Sequence, residues 1–202
     1  MSIISIEALK EDDIKDYITL MWESFEEKMV PTFSGSKEAG IDILVAQTKK
    51  DLGSGSYFTA RSGARIAGIL MIKTLKTARS SGPRDLKIFF KRLGFLKGLK
   101  ALILISIEDL SGVKEDGLSI EALAVDKACR GMGIGKKLLA FCEEYAKKEG
   151  KKYMELGVVE KNQPALSLYH GFGFKKSRRY SMWIAERLFG YRVWYKMRKE
   201  IA

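Results

Sequence analysis

Histidine occurs once in these 202 residues and cysteine twice, and each scarcity excludes a kind of chemistry. One imidazole cannot build a histidine-rich metal centre. A serine or cysteine triad would rest on His170 alone, beside Tyr169 on a short helical segment, and is set aside. Cys129 and Cys142 show neither pairing nor metal-ligand spacing, so the expectation is a reduced, cytoplasmic compartment with no metal. The longest apolar run, Ala101 to Ile105, falls far short of the roughly 20 residues a membrane span requires. Met1 to Ile6 lacks a basic region followed by a long apolar stretch, so no signal peptide is expected. Acids are also outnumbered, 25 against 36 basic residues, which leaves a net charge of +11. With 46% hydrophobic residues the chain can bury one substantial core, and the expectation is a single domain over 1–202 without repeats or a disordered tail.

What the chain does have is the run Arg130-Gly131-Met132-Gly133-Ile134-Gly135. It stands between the apolar stretch Ile120 to Val125, which reads as a strand, and a helix marked by Ile134, Leu138, Phe141, Cys142 and Tyr145 and ended by Gly150. Glycines at alternate positions leave backbone N–H groups uncovered. The helix that follows aims its own unpaired N–H groups and positive dipole end at the same spot, so the loop is suited to an anion such as a pyrophosphate. A P-loop would need glycine at 130 and serine or threonine at 137, where Arg130 and Lys137 stand. A dinucleotide fingerprint would need glycine at the position of Lys136. Both readings fail.

A second motif follows at a set distance. Tyr153 to Val159 reads as a strand, and after it Asn162 can cap a short helix. Pro164 suits the first turn of that helix, and Ala165 and Tyr169 lie one turn apart on one face. Together Arg-x-x-Gly-x-Gly and Asn162-x-x-Ala165-x-x-x-Tyr169-x-x-x-Gly173-Phe174 resemble the two signatures of the GNAT (GCN5-related N-acetyltransferase) family. The resemblance is firm from Leu118 to Phe174 and extends more loosely over Ile3 to Leu75. It implies an α/β (α+β) acyl-CoA N-acyltransferase fold, a mixed central sheet of six to seven strands flanked by helices.

The remaining pattern suits that order. Ser5 to Ala8 reads as a first strand. Ile14, Tyr17, Ile18, Met21 and Phe25 form a helical stripe, and Ile41, Leu44, Val45 and Leu52 suggest a second helix after Ser36. Ser56 to Arg61 and Arg65 to Leu75 read as a hairpin, and Tyr191 to Met197 as a closing strand. The stretch around Tyr180 to Leu188 reads as a loop.

One segment departs from the simplest version of the fold. From Lys73 to Lys100 there are nine basic residues and one acid, Asp85, a local balance of +8. These charges alternate with Leu86, Phe89, Phe90, Leu93, Phe95, Leu96 and Leu99, which reads as a basic helical insertion over about 76–115 between the third and fourth strands. Such a segment suits an anionic membrane surface, nucleic acid or an acidic partner. The plainer reading is a solvated lysine face over helices that pack on the core or form a homodimer, and it is preferred.

The chemistry that the resemblance implies is direct transfer of an acetyl group from acetyl-CoA to a primary amine. It assigns the pyrophosphate to main chain over Gly131, Met132, Gly133, Ile134, Gly135 and Lys136, with Arg130 opening the loop. Asn162, Ala165 and Tyr169 complete the coenzyme site. Charge on the thioester oxygen falls to main chain at Leu123, Ala124 and Val125, where the family's strand bulges, a donor worth about 3 kcal/mol. Tyr169 corresponds to the tyrosine that donates to the departing thiolate. Glu121 is the leading candidate base, although strand alternation leaves its facing open. Relatives that place a glutamate five residues before the asparagine differ from this chain, which has Gly157 there, with Glu155 and Glu160 nearby. Trp22, Phe25, Phe33, Tyr180 and Trp183 could line an apolar acceptor pocket, but each reads more readily as simple core. Two other classes stay open: a CoA-binding regulatory module without turnover, and a polyanion or membrane-surface binding protein.

Overall fold

A computed structural model describes residues 4–80, 86–108 and 114–201. The chain begins with β1 (Ile4–Ala8), followed by α1 (Ile14–Ser24), α2 (Glu26–Thr32) and α3 (Lys37–Asp51). A hairpin of β2 (Tyr57–Ser62) and β3 (Arg65–Lys73) leads into α4 (Leu75–Ser80), α5 (Leu86–Leu93) and α6 (Phe95–Glu108). Then come β4 (Gly117–Val125), α7 (Ile134–Lys148), β5 (Tyr153–Val159), α8 (Gln163–Gly171), β6 (Lys175–Ser181), α9 (Trp183–Phe189) and β7 (Val193–Glu200). The seven strands form one sheet in the order β1-β2-β3-β4-β5-β7-β6, antiparallel except for the parallel pair β4–β5. The expected mixed sheet flanked by helices is therefore present.

Three local expectations change. The N-terminal pair of helices is a trio, because the backbone leaves helical geometry at Phe25 (φ −124°, ψ 31°) and restarts as α2. In α3 the buried positions are Ala39, Gly40, Ile43 and Thr48, and Ile41, Leu44 and Val45 pack only at its margin. The stretch expected as a loop around 180–188 is the end of β6 followed by α9, which Gly190 closes at φ +70° while donating its N–H to Glu186 O.

Apolar residues gather on both faces of the sheet. On one face, Leu118, Ile120, Met154, Leu156, Val158 and Met197 pack against Ile134, Leu138, Leu139 and Cys142 of α7 and Leu166 and Tyr169 of α8. On the other, Ile69, Ala122 and Ala124 pack under Ile14, Tyr17, Ile18 and Trp22 of α1, Ile43 of α3, Phe89 of α5 and Ala101 of α6. The Tyr17 hydroxyl donates to Leu70 O at 3.0 Å, tying α1 to β3.

β4 changes faces part-way along. Leu118 and Ile120 belong to the α7 side, whereas Ala122 and Ala124 belong to the α1 side. Unbroken alternation would put all four on one face. The pairing explains the switch: Ile72 stands opposite Ile120 and Met71 opposite Ala122, which leaves Glu121 as the extra residue of a β-bulge. The bulge therefore lies at Glu121, upstream of the Leu123 to Val125 stretch where it is expected from the sequence.

Candidate active site

The bulge sits beside a break in the sheet. The β4–β5 ladder runs from Gly117 opposite Tyr153 to Ile120 opposite Leu156 and stops. Both strands continue, β4 still paired with β3 as far as Val125 and β5 still paired with β7 as far as Val159. A slot opens between them. Its β4 wall is the main chain of Leu123, Ala124 and Val125, unpaired on the β5 side.

The glycine loop closes the open end of this slot. Asp126 starts it, accepting from Ala128 N–H at 2.8 Å and from Arg65 Nη2 at 2.8 Å. Partial burial pushes the Asp126 carboxyl up, but the Ala128 N–H, Arg65 and Arg130 together outweigh this and hold it below its ordinary value. Arg130 is exposed and extended, with its Nε at 3.4 Å from Val125 O. Gly131 and Gly133 have φ of +79° and +76°, the left-handed region, and a Cβ on either would meet nothing within 4 Å. They are required by conformation, and the space in front of them is free. Gly135 differs: a Cβ there would lie 3.0 Å from Leu168 Cδ2 of α8. That contact lies where α7 and α8 meet over the end of β4, and it leaves the Gly135 N–H among the free donors at the helix start.

Gly133 caps α7, and the first intrahelical bond is Lys137 N–H to Gly133 O at 3.1 Å. The N–H groups of Ile134, Gly135 and Lys136 therefore have no intrahelical acceptor and point toward the loop with the dipole behind them. Lys127, Arg130, Lys136 and Lys137 are exposed around them, so the local field favours an anion. Ile134 itself is buried and anchors the helix start, while Met132 is half exposed beside the loop.

Asn162 caps α8 as the sequence implies, its side chain accepting from Ala165 N–H at 3.1 Å. One turn past Ala165, Tyr169 is buried edge-on against Phe174, with ring centroids 5.9 Å apart. Gly173 at φ +97° makes the turn that brings Phe174 back, and Phe174 N–H donates to Tyr169 O at 2.9 Å. The Tyr169 hydroxyl has no hydrogen-bond partner among the described residues, and burial pushes it up to about 12. Glu121 is exposed and forms no ion pair among the described residues.

On the sheet face away from α7, against the part of β5 that pairs with β4, lies a cavity of about 340 Å³ lined by Tyr153, Glu155, Arg178, Tyr180, Lys196 and Arg198, among others. Glu155 is buried and engaged by Lys196 at 2.7 Å and Arg198 at 3.7 Å. It is thus held by cations, whereas Gly157, the next residue on this face, is open. Of the aromatic residues weighed for an acceptor pocket, Trp22 and Phe33 pack together in the core at 5.6 Å, Tyr180 stacks on Trp194 and lines the cavity, and Trp183 is exposed.

The sequence model of the Acetyltransferase (GNAT) family matches residues 19–174, more than half of the chain. This chain belongs to the GNAT family. The GNAT chain is 27% identical over 143 residues to N-acetyltransferase family 8 member 2 of Rattus norvegicus, across 70% of this chain and 48% of that protein. It thus spans about half the length of that curated relative. The GNAT fold is shared with a solved acetyltransferase at TM-score 0.69 and 22% identity, covering 98% of this chain and all of the other. A second solved structure, yncA from Salmonella typhimurium, a putative acetyltransferase with its cofactor acetyl-CoA, matches at TM-score 0.65 and 14% identity over 98% of this chain and 94% of that one.

Asp126 and Arg65 were missed by sequence reasoning. Asp126 carried a signal, since an aspartate two residues before the N–H it accepts is a capping pattern. Arg65, 61 positions away, carried none.

Proposed function

We propose that this GNAT chain is an N-acetyltransferase that passes the acetyl group of acetyl-CoA directly to a primary amine. The observation that carries the reading is the slot between β4 and β5, which ends on the uncovered N–H groups of the glycine loop. Those N–H groups, from Gly131 to Lys136, hold the pyrophosphate with Arg130 beside them, and the free space before Gly131 and Gly133 admits it. Acetyl-CoA, when bound, supplies an activated acetyl thioester.

This chain's residues do the rest. Main chain over Leu123, Ala124 and Val125 lines the slot, and since Asp126 N–H donates to Ala67 O of β3, alternation turns the Leu123 and Val125 N–H groups to the slot as donors to the acetyl oxygen. Asn162 and Ala165 fix the start of α8, which presents Tyr169 to the slot. With its hydroxyl pushed up to about 12, Tyr169 stays protonated and donates a hydrogen bond to the departing sulfur. A thiol near 8.5 lies about 3.5 pKa units lower, so complete proton transfer would cost about 5 kcal/mol and hydrogen bonding is the cheaper role. Glu121, exposed at the bulge where the slot opens, takes the proton that an alkylammonium of pKa about 10.4 must lose before attack and hands it to water, and the second N–H proton, lost as the C–S bond breaks, goes to the departing thiolate to give the free thiol.

The cations around Glu155 and the net charge of +11 favour acidic or neutral acceptors over polyamines. The test is to incubate the protein with acetyl-CoA and a panel of amines, amino acids and acidic and basic peptides, and to weigh the products. An acetylated product that depends on Glu121 and Tyr169 supports the reading. Tight binding of acetyl-CoA with no product from any amine overturns it in favour of a regulatory module.

A further inference from the structure

Among the described residues nine large apolar side chains are exposed, and five of them, Leu86, Phe95, Leu96, Leu99 and Ile103, lie on α5 and α6. On α6, Gly98, Ala101 and Leu104 are buried at a spacing of three. Leu96, Leu99 and Ile103 recur at spacings of three and four, which forms a second apolar stripe aimed at solvent. Leu96 is 80% exposed and Phe95 69%, so this is no margin of the core. The Phe90 and Phe95 rings stack at 5.6 Å and join the two helices into one surface.

The charge around this surface has one sign. Residues 86–107 contain no acid, and Lys91, Lys97 and Lys100 are exposed beside the stripe. Arg92 is turned to Asp42 of α3 at 3.1 Å, which leaves the lysines as the outward cations. An apolar stripe bordered by lysines on short helices is the pattern of a segment that lies in a membrane interface. Spanning is not at issue, because no described helix is long and apolar enough to cross a membrane.

We propose that the α5–α6 pair docks this protein on an anionic lipid surface. Phe95, Leu96, Leu99 and Ile103 enter the boundary between headgroups and acyl chains, and Lys91, Lys97 and Lys100 meet lipid phosphates. Two other occupants fit less well. A second copy of the chain would set each lysine cluster against itself on a protein already at +11. A nucleic acid would take the lysines and leave the Leu96, Leu99 and Ile103 stripe in water.

The experiment is co-sedimentation of the full chain with phosphatidylcholine vesicles, with and without phosphatidylglycerol, alongside sedimentation velocity of the protein alone and heparin chromatography. Binding to the mixed vesicles should exceed binding to pure phosphatidylcholine by about tenfold and weaken with salt. Leu96→Asp with Leu99→Asp should abolish vesicle binding. Lys91→Glu, Lys97→Glu and Lys100→Glu should remove the preference for phosphatidylglycerol. All these side chains are exposed, so unchanged thermal melting confirms that each variant is folded. Should a variant unfold, the milder Leu96→Ser or Lys97→Gln replaces it, with a partial loss expected. Absence of vesicle binding overturns the proposal. So does a dimer that Leu96→Asp dissociates, or retention on heparin by a protein that ignores vesicles.

Discussion

Replacing Tyr169 by Phe separates a packing role from a chemical one, because the structure gives the ring and its hydroxyl different surroundings. The ring is buried edge-on against Phe174, and phenylalanine keeps that contact. The hydroxyl has no hydrogen-bond partner among the described residues, so its removal breaks no bond in the free protein. Stability should stay within about 0.5 kcal/mol of the parent. The reaction should suffer. A hydrogen bond to a charged group is worth about 1.5–3 kcal/mol, which corresponds to roughly a 10- to 150-fold fall in kcat. Acetyl-CoA affinity should hold, since the bond is made to the sulfur as it departs. Three assays on one preparation decide it: urea unfolding, calorimetric titration with acetyl-CoA, and steady-state release of free thiol. A variant that loses more than about 1 kcal/mol of stability while keeping its kcat would refute the reasoning, for Tyr169 would then be a core residue only.

The same tyrosine sets the alkaline limit. Burial raises its pKa to about 12, so the donor stays intact and no activity loss from its ionisation is expected below about pH 11, measured as kcat against pH. A folded-state value above the unfolded one adds stability that is whole below pH about 10 and is lost as pH climbs through 12, and urea melts across that window should show the decline. Gly133→Ala forces a side chain into φ +76° and should cost about 1 kcal/mol, roughly 2–4 °C in Tm, with a larger loss in acetyl-CoA affinity. Gly135→Ala should be near neutral in Tm, because its new contact is the mobile end of Leu168. Arg178→Glu should raise KM for acidic acceptors and leave neutral ones little changed, and preferred acetylation of spermidine by the parent chain would contradict the acidic-acceptor reading.

Legibility in the sequence followed the range of the interactions. The strand, glycine loop, helix, strand and capped helix from Gly117 to Phe174 are set by neighbours within a few positions, and β5 falls on Tyr153 to Val159 as read. The Asn162 cap and the Gly173 turn are likewise local, and both are in place. The slot and the bulge are not local. They depend on where a ladder stops and on how β3 registers with β4 fifty residues later, so alternation alone could not orient Glu121. The division of the aromatic residues between core and cleft is long-range as well. Trp22 and Phe33 are large enough to fill the core beneath α3, and burial there outweighs lining a cleft. In the basic segment Phe89 and Leu93 pack on the core, while Leu96, Leu99 and Ile103 face outward, a division that charge and spacing alone did not reveal.

The most direct measurement on the central claim is titration of the full chain with acetyl-CoA by calorimetry, followed by mass analysis of the amine panel from the same mixture. One binding site that coenzyme A competes for, weakened by Gly133→Ala, is expected, together with an amine product heavier by one acetyl group. A chain that binds no acetyl-CoA, or binds it equally well after Gly133→Ala, would contradict it.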